Sequence, residues 1–116
     1  MSSPIKTINP ATGDVIDTYD LMTDDETTDA IRACHEAFDR WRLVSLEDRA
    51  AKIKAIGQAL RDSKEEFAQL MTSEVGKLIG DSRQEIELCA AICDFTAAQG
   101  PGDLADEERD IPDGKG

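Results

Sequence analysis

At 116 residues the chain is one domain's worth of polypeptide or less, so a single core is expected and no second one. Its 25 acidic residues against 13 basic ones give a formal charge of −12, which repels phosphate backbones and anionic lipid surfaces and argues against nucleic-acid or membrane partners. The acids concentrate at the ends, seven against one base in residues 1–29 and six against two in 101–116, a pattern that fits either solvated termini or a high-salt source.

The chain opens with strand formers, Ile5 and Thr7, then Val15, Ile16, Thr18 and Tyr19, on either side of Asn9-Pro10-Ala11-Thr12-Gly13. Proline pre-sets a turn φ and glycine supplies a left-handed position, so residues 1–22 are expected to form a β-hairpin segment. A lone hairpin is marginal in water and has to lean on other structure.

Residues 23–100 are expected to be helical, in about four helices. Thr23-Asp24-Asp25-Glu26 has the pattern of a capping box, and Ile31, Cys34, Phe38 and Trp41 follow on one face of a helix running from about 24 to 42. Ser45-Leu46-Glu47-Asp48 repeats the cap ahead of Ala50, Ile53, Ile56 or Gly57, and Leu60. Ser63-Lys64-Glu65-Glu66 repeats it again ahead of Phe67, Leu70, Met71 and Val75, with Gly76 as the stop. Asp81-Ser82-Arg83-Gln84 opens a last helix whose apolar residues Ile86, Leu88, Cys89, Ile92, Cys93, Phe95 and Ala97 cover more than one stripe, which predicts burial against two neighbours. Gly100-Pro101-Gly102 is expected to end it. The acidic tail, 101–116, has too few apolar residues to pack and is expected to be extended or disordered. The fold class is therefore mostly α with an N-terminal β-hairpin, and no internal repeat of fixed period is present.

Three cysteines, Cys34, Cys89 and Cys93, form an odd set, and "MSSPIKTINP" has no apolar h-region, which points to a cytoplasmic chain with free thiols. No window approaches the about 18 uninterrupted apolar residues that a membrane span needs. His35, the only histidine, is expected at or near the surface rather than as a ligand or base. Cys89 and Cys93 share a helical face, yet zinc needs four protein ligands or three plus water, so buried apolar thiols are expected ahead of a metal or redox pair.

Gly76, Lys77 and Gly80 in "EVGKLIGDS" lack the order of a phosphate loop and follow no strand, which makes a helix-to-helix turn the expectation. Glu65 with Glu66, and Glu85 with Glu87, are at non-facing spacings, so solvated faces are expected rather than paired acid/base chemistry. Phe38 and Trp41 suit a core or interface anchor better than a ligand-stacking platform. No catalytic, cofactor-binding or metal-binding residue emerges from the residues alone.

Five stretches taken in order, "INPATGDVI" at 8–16, "AFDRW" at 37–41, "RAAKIKAIGQALR" at 49–61, "SEVGK" at 73–77 and "QEI" at 84–86, resemble the N-terminal segment of the NAD(P)-dependent aldehyde dehydrogenases over about residues 5 to 104. "CDFTAAQGPGDL" following "SEVGKLIGDSRQEI" looks most like the succinate-semialdehyde type. Leu78 departs from the family, which usually has proline after the Gly-Lys. The resemblance implies the front part of an α/β cofactor-binding domain, whose Rossmann-like dinucleotide sheet is encoded further on and is absent from this chain.

For activity the resemblance implies oxidation of an aldehyde to a carboxylic acid. A cysteine thiolate attacks the carbonyl, hydride passes to the nicotinamide of NAD or NADP, and a glutamate activates water. Those residues belong to later family segments, and Cys34, Cys89 and Cys93 stand outside the nucleophile's motif, so none inherits a role. The 81–99 helix would lie near the entrance to the substrate channel.

Two readings follow from the resemblance. The first is a catalytically incomplete piece of a dehydrogenase, partnered by the remainder of the enzyme or associating with itself through exposed apolar faces. The second is a stand-alone helical interaction module derived from the family.

Overall fold

The computed structural model describes residues 4–112 and the backbone of 114 and 115. Strand β1 (Ile5–Ile8) pairs antiparallel with β2 (Val15–Tyr19), Ile5 opposite Tyr19 and Thr7 opposite Asp17. The register then shifts so that Ile8 faces Val15, which leaves Ile16 as the extra residue of a bulge. The turn between them is closed by its own side chains. The Ala11 amide donates to Asn9 Oδ1 at 2.9 Å, the Asp14 amide to Thr12 Oγ1 at 3.2 Å, and Gly13 takes the left-handed φ of 79° that the turn requires.

Helix α1 (Asp24–Trp41) starts on a complete capping box: Thr23 Oγ1 accepts from the Glu26 amide, and Glu26 Oε2 accepts from the Thr23 amide at 2.8 Å. The Thr23 amide first, and then the Thr23 hydroxyl, which donates to the same Oε2 at 3.0 Å, hold the Glu26 carboxyl below its ordinary pKa. Helix α2 (Leu46–Asp62) starts on Ser45, whose hydroxyl accepts from the Asp48 amide at 3.1 Å. Helix α3 (Lys64–Val75) follows directly, so that Ser63 ends one helix and begins the next.

The cap expected at Ser63 is not made. At φ −101° and ψ 14° its amide closes α2 on the Ala59 carbonyl, and its hydroxyl makes no bond to the first turn of α3. Gly76 ends α3 in the left-handed conformation, φ 72°, as a C-terminal glycine should.

Helix α4 (Ile79–Asp103) differs from expectation at both ends. It begins two residues before Asp81, which lies in its first turn and complements the helix dipole instead of capping. It also runs through Gly100 and Pro101. Proline lacks the donor to the preceding turn and crowds its carbonyl, yet the helix continues: Pro101 lines a cleft with Trp41, Leu46 and Leu104, and the Leu104 amide resumes bonding to the Gly100 carbonyl. Beyond it, β3 (Asp110–Ile111) pairs with β4 (Gly114–Lys115) within the acidic tail. Residues 1–3 of the hairpin segment, and 113 and 116 of the tail, lie outside the described residues.

The broad face of α4 packs on both α2 and α3. At the contact the residues are small: Gly57 of α2, Ala68 of α3, and Ser82 and Ala90 of α4 are buried, joined by Ile86. A Cβ on Gly57 would meet Cys93 Cβ at 3.0 Å and the Ala90 carbonyl oxygen at 3.1 Å, so α2 crosses α4 nearly backbone to backbone. Thr72 and Ser82 hydroxyls bond across the α3–α4 contact at 3.0 Å, which satisfies the one buried polar side chain of the seam.

The hairpin leans on the far end of α3. Pro10 lies so close to Gly76 that a Cβ there would meet its Cγ at 3.0 Å. Asp17 first, then partial desolvation and the Glu74 carboxylate, raise the Tyr19 phenol above its ordinary pKa. The radius of gyration is 20.8 Å, against about 13 Å for a compact 100-residue domain, because α1 and the hairpin project from the three-helix unit.

Candidate functional site

The candidate site is a surface. Every residue of α1 is exposed, and its amphipathic stripe, Ile31, Cys34, Phe38 and Trp41, faces no other element along most of its length. Phe38 is 56% exposed and Trp41 38%, so the aromatic pair anchors no core within this chain. The stripe leads into a cleft of about 200 Å³ where Trp41 meets Leu46, Arg49, Ala50 and Ile53 of α2 and Thr96, Gly100 and Pro101 of α4. Trp41 lines both this cleft and the shallow one formed by Cys34, Ala37, Phe38 and Val44, so the two adjoin at its side chain.

Farther along their contact the helices are tied by ion pairs. Arg61 of α2 donates from Nε to Glu87 and from Nη2 to Asp94 of α4, both at 2.8 Å, and Lys64 reaches Glu87 at 3.3 Å. Arg83 grips both oxygens of Glu65 at 2.7 and 2.8 Å, and Lys77 pairs with Glu85. Glu65 and Glu87, expected on sequence to be solvated faces, thus tie one helix to another, and Glu85 ties α4 to Lys77 of the turn before it. Their cations lie 8 to 26 residues away in the chain, beyond any helical spacing rule.

Arg83, then Gln69, hold the Glu65 carboxyl at about 2, against an ordinary 4.5, and the Arg61 and Lys64 hydrogen bonds lower Glu87 as well. A carboxyl whose folded pKa lies below its unfolded value stabilises the fold above the unfolded value and loses that contribution as pH falls through the folded one. Helix content should therefore decline between pH 4.5 and about 2. The Glu65→Gln variant should show a flatter decline across that window by circular dichroism, having lost the clamp already at neutral pH.

The nucleophilic candidates stand apart. Cys34 and Cys89 are exposed and Cys93 is half-buried, which corrects the expectation of two buried thiols. The buried line of α4 is Ser82, Ile86 and Ala90, and Cys89 falls to one side of it. His35 is exposed on α1, and among the described residues no three His, Cys, Asp or Glu side chains converge as metal ligands. No helix of the described residues is long and apolar enough to cross a membrane.

The residues present do not fit a dinucleotide. A pyrophosphate cradle needs a glycine turn from a strand into a helix N-terminus. The one strand-to-helix junction leading into these helices runs from β2 into α1 with Asp24, Asp25 and Glu26 in the first turn, which would repel the ligand. Gly76 and Gly80 lie between helices α3 and α4 and follow no strand.

Comparison with known proteins places this geometry. The model of the aldehyde dehydrogenase family matches residues 1–115. The NAD(P)+ succinate semialdehyde dehydrogenase Sad of Escherichia coli K12 is 38% identical over 100 residues, covering 86% of this chain and 22% of that enzyme. The NADP+ succinate-semialdehyde dehydrogenase 1 of Mycobacterium tuberculosis H37Rv is 36% identical over 107 residues, covering 92% and 23%. Succinic semialdehyde dehydrogenase of Streptococcus pyogenes, crystallised with NADP+, superposes with a TM-score of 0.87 at 32% identity over 95% of this chain and 24% of that one. The chain thus spans about a quarter of the length of the relatives it matches, their N-terminal region.

Proposed function

Because the chain belongs to the aldehyde dehydrogenase family, we propose that it serves the NAD(P)-dependent oxidation of a semialdehyde to its carboxylic acid, with succinate semialdehyde as the substrate, in the cytoplasm. Its part in that reaction is to scaffold. The reacting cysteine, the water-activating glutamate and the dinucleotide cradle come from the family segments beyond the quarter represented here. This quarter supplies the hairpin and helices that pack against them.

The observation that carries the reading is the uncovered apolar surface. Only Ala68, Ile86 and Ala90 are buried apolar residues among those described, while Ile31, Phe38, Leu43, Ile92 and Phe95 are more than half exposed. A chain that is one quarter of an enzyme leaves such faces where the other three quarters should sit. The partner of this surface is therefore the remainder of the dehydrogenase, and neither nucleic acid nor lipid. The likeness to semialdehyde dehydrogenases in sequence supports the substrate class.

The test is a fusion in which this chain replaces the matched quarter of the E. coli Sad enzyme. A soluble enzyme that oxidises succinate semialdehyde with NAD+ or NADP+ is expected. A fusion that folds to a defined assembly without that activity would contradict the reading and favour an interaction module.

A further inference from the structure

Within the apolar cleft beside Trp41 stands one charged side chain, Arg49. It is half-buried, its Nε is fully covered, and that nitrogen has no hydrogen-bond partner among the described residues. The other half-buried arginines differ: Arg61 and Arg83 each hold carboxylates at 2.7 to 2.8 Å. In a chain with 25 acids against 13 bases, an unpaired arginine in an apolar wall is an unmet electrostatic demand.

We propose that Arg49 is a docking residue that takes up a carboxylate carried on an apolar segment of the remaining three quarters of the enzyme, as that segment seats in the Trp41 cleft. The inference rests on the proposed function above and adds to it the residue and the chemistry of its partner. The terminal nitrogens, which unlike Nε are not sealed from solvent, can offer a carboxylate two parallel hydrogen bonds, and a carboxylate seated there neutralises the charge held in this apolar wall.

The apolar walls, Trp41, Ile53, Pro101 and Leu104, select a segment whose acid is flanked by hydrophobic side chains. A polypeptide suits the site better than a small acid because the cleft adjoins, at Trp41, the exposed Cys34 and Phe38 face of α1, an apolar surface that a few-carbon ligand would leave uncovered.

The experiment compares Arg49→Met, which keeps the apolar stem, with Arg49→Lys, which keeps the charge, in the Sad fusion and in the isolated chain. In the fusion, Arg49→Met should speed amide exchange across residues 46–62 by about tenfold or more, with Arg49→Lys between it and the parent. In the isolated chain, where Arg49 has no partner to lose, helix content by circular dichroism should be unchanged. Equal exchange in the Arg49→Met and parent fusions would overturn the proposal while the fusion's activity leaves the scaffold reading standing. Equal loosening of the isolated chain would assign Arg49 an internal role and overturn it too. Succinate added to the isolated chain should leave Trp41 fluorescence unaltered, and saturable quenching abolished by Arg49→Met would give the cleft to a small acid instead. A fusion that fails to assemble would contradict both readings.

Discussion

Gly57→Leu should force α2 away from α4 and melt the three-helix unit. A Cβ at this position already meets the Ala90 carbonyl oxygen at 3.1 Å and Cys93 Cβ at 3.0 Å. The first of these atoms belongs to the backbone of a 25-residue helix and cannot step aside. Replacing a helical glycine gains up to about 1 kcal/mol of propensity, whereas overpacking a closed contact costs about 1–3 kcal/mol or more. The steric side wins. Gly57→Ala should lie near the balance point and destabilise slightly, and the leucine variant should lose most of its helix signal already at low urea. If the leucine variant unfolded at the parent's midpoint, the close crossing would be wrong.

Ile86→Ala should have the second large effect. Among the described residues it is the one large apolar side chain that is buried, at 6% exposure, with Ala68 and Ala90 as its only buried apolar companions. Truncating a buried isoleucine costs about 2–5 kcal/mol in transfer and cavity terms, and small domains have only about 5–15 kcal/mol in total. A core this small has nothing to fill the gap, so loss of a folded baseline at room temperature is expected in the isolated chain. Ile92→Ala, at an exposed position of the same helix, is the control and should change little.

The hairpin, the four helices and the wide face of α4 were legible because each rests on local chemistry: a proline–glycine turn, the Thr23 box, the Ser45 cap and the Gly76 stop. Local rules also explain the misses. Ser63 looks like a cap but has its backbone committed to closing α2. Pro101 looks like a stop, yet the helix runs through it, at the wall of a cleft that only the tertiary fold provides. The seam of Gly57, Ala68, Ser82 and Ala90 is invisible to a pattern that counts large hydrophobic residues, since the fold needs those positions for close approach of backbones.

The same blindness hid the clamps of Glu65 and Glu87, whose partners are set by helix packing and not by spacing. Conversely, burial is the expectation for Cys89 because it belongs to the wide apolar face of α4, and that face is wider than the surface that α2 and α3 cover. That surplus of apolar surface on α4 and α1 is the part of the sequence that makes sense only with the rest of a dehydrogenase in place.

Urea unfolding followed by Trp41 fluorescence, on the isolated chain and on the Sad fusion side by side, tests that central claim most directly. The isolated chain has a single tryptophan, placed where the apolar stripe of α1 meets the α2–α4 cleft. A broad, shallow transition for the isolated chain, with heterogeneous mass by light scattering, is the expected result. In the fusion a steep transition with a higher midpoint is expected, because the remainder of the enzyme covers that surface. A steep transition of a homogeneous isolated monomer, at the midpoint of the fusion, would contradict the account and show a self-sufficient module.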